Sequence, residues 1–83
     1  MAHVRAQLSL ETAREVSNFV KDINSDGSVN KYTLENFDGT LRVSARSLLG
    51  AMYASMEFDG KIFLVNETED GYFPSFVDKY RLY

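Results

Sequence analysis

The stretch Ala45-Arg46-Ser47-Leu48-Leu49-Gly50-Ala51-Met52-Tyr53-Ala54-Ser55-Met56 decides how the rest of the chain is read. Ser47 suits the start of a helix, because its side-chain oxygen can accept a hydrogen bond from a free amide of the first turn. Leu48, Leu49, Met52 and Met56 follow at i, i+1, i+4 and i+8, the spacing of one apolar helix face. The pattern predicts a short helix over 47–56, with part of its apolar face in a core and its first turn open to a partner. That makes it an interaction surface before a catalytic one.

On the amino-terminal side, Val4, Ala6, Leu8 and Leu10 alternate with His3, Arg5, Gln7 and Ser9, which predicts a strand over 3–9 with one buried face. Val16, Phe19, Val20 and Ile23 recur at helical spacing and predict a helix over 11–23, capped by Ser9 or Thr12. Asn24 to Ser28 interrupts it. Val29 to Phe37 and Thr40 to Ser44 then flank Asp38-Gly39, a dipeptide favoured in tight hairpin turns, and predict two paired strands.

On the carboxy-terminal side, Ile62-Phe63-Leu64-Val65 marks a strand over 61–66. Phe73, Phe76, Val77 and Tyr80 fall at i, i+3, i+4 and i+7 and predict a third helix beginning near Gly71-Tyr72. The resulting order is βαββαβα. Three helices, each with one apolar stripe, can cover one face of a four-stranded antiparallel sheet and leave the other wet. The expected class is therefore α+β, an open-faced β-sandwich.

Composition narrows the function. The 83 residues suffice for a single domain spanning 1–83, and at 45% hydrophobic and 25% charged they have a globular balance. A net charge of -3 argues against nucleic acid as a partner. With no cysteine and one histidine, His3, neither a Cys/His nor a Ser/His/Asp set fits the alternating, solvent-side position of that histidine. No apolar run reaches the roughly 20 residues of a membrane span, and residues 1–10 carry no signal-peptide pattern, so a soluble cytoplasmic protein without a cofactor is expected.

The order of elements, the Arg46-Ser47-Leu48-Leu49-Gly50 helix start and the Thr12-Ala13-Arg14 helix start together resemble the HPr family, the phosphocarriers of the bacterial sugar phosphotransferase system. In that family the first helix opens with His-Ala-Arg-Pro, whose histidine carries a phosphoryl group. The second opens with a serine followed by apolar residues and glycine. The resemblance places Thr12 where the histidine stands, keeps Ala13 and Arg14, and puts Glu15 in place of the proline. Threonine is no substitute in a fast reversible carrier, because its hydroxyl needs a base to attack and its phosphoester is a poor donor.

Arg14 has two readings, an anion-binding group at a helix start and a plain surface arginine. Ser47 also has two. The resemblance implies a serine phosphorylated by a dedicated ATP-dependent kinase, whereas local chemistry implies an N-cap, and the readings are compatible because the same amides suit a phosphate, with Arg46 adjacent. Leu48, Leu49 and Met52 correspond to the patch through which family members dock on partner proteins, and a core role is the alternative.

Asp22-Ile23-Asn24-Ser25-Asp26-Gly27 matches the opening of a calcium loop, with Val29 and Asn30 in keeping. Thr33 stands where a bidentate carboxylate should close it, so a polar turn is the preferred reading over a metal site made by Asp22, Asn24 and Asp26. The segment looks like an insertion relative to the family. The expected function is a non-catalytic, regulatory or protein-binding HPr-like protein, recognised by phosphotransferase-system or transcription-regulator proteins through Arg14, Arg46, Leu48, Leu49 and Met52. The alternatives are an unconventional phosphoacceptor using Thr12 or Ser47, and a calcium-responsive module.

Overall fold

Alternation and helical spacing translate into six regular elements and a short 3-10 helix in the computed structural model, which describes residues 4–26, 31–68 and 73–82. The elements are β1 (Val4–Leu8), α1 (Ala13–Ser25), β2 (Tyr32–Glu35), β3 (Arg42–Ser44), α2 (Leu48–Glu57) and β4 (Ile62–Asn66), then the 3-10 helix Ser75–Lys79. Among the described residues the strands form one antiparallel sheet in the order β1-β4-β2-β3. His3, the residues Gly27 to Asn30 and the Gly71-Tyr72 pair lie outside the described residues.

Register follows from the side-chain period of two, which sends every second residue to the core. Ala6, Leu34 and Leu64 share one row, since Ala6 and Leu34 both pair with Leu64, and all three are buried. Val16, Phe19, Val20 and Ile23 press α1 onto this face as their spacing predicts. Each buried side chain of this size is worth about 1.5–3 kcal/mol relative to exposure.

Two expectations are corrected. The predicted carboxy-terminal helix is a five-residue 3-10 helix, opened at Pro74 and held by Val77 N–H to Pro74 O and Tyr80 N–H to Val77 O. It is short because the chain must return to extended form: Ser9 N–H donates to Tyr80 O, Leu82 N–H to Gln7 O, and Leu8 bridges Arg81 along the open edge of β1. Val77 and Tyr80 still reach the core, while Phe73 and Phe76 are only partly buried against it. The sheet face thus carries two α-helices, with the 3-10 helix as a third, shorter cover.

The hairpin turn is also longer than Asp38-Gly39 alone. Asn36 N–H donates to Leu41 O and Asn36 Oδ1 accepts from Leu41 N–H, closing a loop over residues 37–40. Gly39 sits at φ +76°, where a side chain is disfavoured. The turn therefore takes residues 36–37 and 40–41 from the predicted strands, leaving Tyr32–Glu35 and Arg42–Ser44.

Candidate functional site

Thr12 opens α1 with a complete capping box. Its Oγ1 accepts from Glu15 N–H at 3.1 Å, and Glu15 Oε1 accepts from the amides of Thr12 and Glu11, each at 3.0 Å. Glu15 is thus a structural ligand of the helix start. The Thr12–Glu15 spacing carries this signal in the sequence. A carboxylate already occupies the place where the free amides and the dipole would attract a phosphoryl group. Arg14 next to it is exposed.

Ser47 opens α2 by accepting from Gly50 N–H at 3.1 Å, and its carbonyl takes the Ala51 amide. In contrast to Thr12, no acidic side chain lies in the first turn of α2. Arg46 fixes the approach to this helix: its Nη1 donates to Ile23 O at 2.8 Å, its carbonyl accepts from Asn24 Nδ2 at 3.0 Å, and its guanidinium lies over the Tyr32 ring. It supplies the cation that the last turn of α1 lacks. These contacts put the end of α1 beside the start of α2. Thr12 and Arg14 stand at the other end of a 13-residue helix, about 20 Å along its axis. The two helix starts do not converge.

What faces the core from α2 is not its large residues. Ala51 and Ala54 are fully buried, and Gly50 sits so close to the sheet that a Cβ there would lie 3.1 Å from Ser44 O and 3.2 Å from Val43 Cβ. Leu48, Leu49, Tyr53 and Met56 are 49%, 84%, 45% and 72% exposed, and Met52 is half-buried against the core. At 100° per residue these five side chains fill one continuous arc of roughly 140°. The predicted division of Leu48, Leu49 and Met52 between core and surface is therefore uneven: both leucines are outward, and Met52, although it falls within the arc, is half-buried against the core. The alanines decide this, because small side chains let the helix lie close to the sheet.

The calcium-loop residues are tied into the fold. Asp22 accepts from Tyr80 Oη at 2.6 Å and pairs with Lys79 at 3.2 Å, Asn24 holds the Arg46 carbonyl, and Asp26 accepts from Tyr32 Oη at 3.0 Å. The Tyr80 bond holds the Asp22 carboxyl below its ordinary range, and burial followed by this same bond pushes the Tyr80 phenol up to about 12. Among the described residues no group of three or more His, Asp or Glu side chains is placed to hold a metal ion.

On the helix-free face lies a charged cluster that the sequence reading does not assemble. Glu35, 7% exposed, accepts from Arg5 Nε at 2.8 Å and pairs with Arg42 at 3.3 Å, while Arg42 also pairs with Glu67. Arg5 reaches Glu35 across β4, its guanidinium 3.9 Å from the centre of the Phe63 ring. The β2–β3 hairpin sets Glu35 opposite Arg42, and the strand order brings Arg5 to them from beyond β4. Comparison with known proteins finds no family model, no curated protein and no solved structure that matches this chain.

Proposed function

We propose that this α+β protein is an HPr-like relative without the phosphoryl-carrying histidine, a non-catalytic cytoplasmic module that binds a protein partner through the outward arc of α2. The observation that carries the reading is the exposure of Leu48, Leu49, Tyr53 and Met56 beside the Ser47 cap. An apolar arc turned away from a small core is a recognition surface by its chemistry. The order βαββαβ and the serine-opened second helix support the family reading. Its partners would be phosphotransferase-system or transcription-regulator proteins.

Phosphorylation of Ser47 would regulate that surface, since a phosphate at this cap would meet first-turn amides and no neighbouring carboxylate in the helix start. Thr12 has the opposite surroundings, with Glu15 on its amides. The test pairs two donors. Incubation with ATP and the family's serine kinase should label the protein and leave Ser47→Ala unlabelled, whereas phosphoenolpyruvate with the general enzyme of the phosphotransferase system should label neither. Label from phosphoenolpyruvate would overturn the non-catalytic reading, and kinase labelling that survives Ser47→Ala would overturn the assignment of the site.

A further inference from the structure

The chain has no cysteine, so its methionine thioethers are its only sulfur groups and the ones a peroxide reaches first. Two of its three methionines, Met52 and Met56, lie on α2, and the fold gives them opposite surroundings. Met52 is half-buried and packs against the core. Met56 is 72% exposed in the last turn of the helix. At 100° per residue it stands roughly 20° from Leu49, 40° from Met52 and 60° from Tyr53 around the helix axis, near the middle of the outward arc. Tyr53 beside it is held by an edge-on contact with the buried Phe58 ring, their centres 5.9 Å apart. A change of polarity at Met56 is thus a change in the arc and not in the core.

We infer that Met56 is a redox modification site, converted by hydrogen peroxide to the sulfoxide, which switches the α2 arc from apolar to polar without unfolding the chain. A lone pair of the thioether sulfur attacks one peroxide oxygen. The S–O bond forms, the O–O bond breaks, and the departing oxygen takes up the proton shed by the transferred one and leaves as water. Sulfur loses two electrons and the peroxide gains them. A dithiol reverses the change through a sulfoxide reductase, becoming a disulfide while the oxygen leaves as water. The sulfoxide oxygen is a hydrogen-bond acceptor that solvent satisfies at an exposed position, whereas an apolar surface laid over it would bury it without a donor. Exposure therefore keeps the modification of Met56 from weakening the free protein. The same oxygen on Met52 would press a polar group against the core and destabilise it. The consequence for docking rests on the reading of the α2 arc given above; the modification itself rests on the exposure of Met56.

The experiment treats the full chain with dilute hydrogen peroxide and follows it by peptide mass mapping, by retention on a phenyl hydrophobic-interaction column and by thermal melting. The expected result is gain of one oxygen at Met56 several-fold faster than at Met52, with retention falling as Met56 is converted and the melting temperature unchanged at that stage. Methionine sulfoxide reductases with a dithiol should restore the retention. Met56→Leu, which keeps an apolar side chain and removes the thioether, should hold its retention through the same treatment, and Met52→Leu should still lose it. Oxidation of Met52 as fast as Met56, retention unchanged on conversion of Met56, a loss that persists in Met56→Leu, or a melting temperature lowered by conversion of Met56 alone would each overturn the proposal. None of these readouts uses a partner, so failure here is distinct from failure of the docking reading, which shows instead as partner binding retained in Leu49→Lys.

Discussion

At Gly50 two opposing effects can be compared. Replacing glycine with alanine inside a helix gains about 1 kcal/mol of propensity. Here the new methyl would meet a backbone carbonyl at 3.1 Å and the base of Val43 at 3.2 Å, neither of which can swing away. Overpacking of this kind costs about 1–3 kcal/mol, so Gly50→Ala should be destabilising by about 1 kcal/mol in urea unfolding. A more stable variant would mean that α2 can lift off β3.

Tyr80 gives a pH signature. Its phenol is pushed up to about 12 in the folded chain, first by burial and then by the Asp22 bond, from an ordinary value of 10.0. A group raised on folding contributes stability that is complete below the unfolded value and is lost as pH rises through the folded one. Stability should therefore fall between about pH 10 and pH 12, and Tyr80→Phe should flatten that fall in thermal melts. Asp22 acts in the opposite sense. Its lowered carboxyl contributes at neutral pH and loses its contribution as acid protonates it below its ordinary value of 3.8.

Among the elements, α2 separates what stabilises the fold from what is displayed. Leu49 is 84% exposed, so Leu49→Lys should change stability by no more than about 0.5 kcal/mol while abolishing the partner binding proposed for this arc. Ala54 is fully buried, and Ala54→Leu should cost about 1–3 kcal/mol by forcing α2 off the sheet. Circular dichroism melts of the two variants check this contrast, and equal losses in both would remove the distinction. Helix existence was legible here because a serine cap and a helix-forming run are local. Helix orientation was not, since Leu48, Leu49, Met52 and Met56 have the periodicity of a buried face and the alanines offer a smaller, closer one. The carboxy-terminal segment shows the same limit: Phe73, Phe76, Val77 and Tyr80 have helical spacing, yet pairing of residues 80–82 with the edge of β1 stops the helix after Lys79.

At the scale of the whole molecule, the helix-free face is organised around Glu35. Arg5 from one edge strand and Arg42 from the other converge on it, with side chains 37% and 54% exposed. Solvent reaches both arginines, which weakens each pair, so Glu35→Ala should cost about 2 kcal/mol, less than the 3–5 expected for a fully buried pair. The double variant Glu35→Ala/Arg42→Ala should then lose less than the sum of the single losses, as measured by a double-mutant cycle.

The chain's own order of residues determined whatever depends on neighbours within a few positions: the caps at Thr12 and Ser47, the apolar stripe of α1, the alternation of β1, the run of strand formers in β4, and the need for Gly39 in a turn. These are set by periodicity and by amides that lack partners at helix starts. Only the tertiary structure decided which face of α2 is buried, that Thr12 and Ser47 stand at opposite ends of the helix pair, that Asp22, Asn24 and Asp26 serve as ties, and that Arg5, Glu35 and Arg42 meet. Those outcomes depend on how closely elements approach and on the order in which strands lie side by side, and contacts made between elements, such as Arg5 with Glu35 and Asp22 with Tyr80, leave no local period to read.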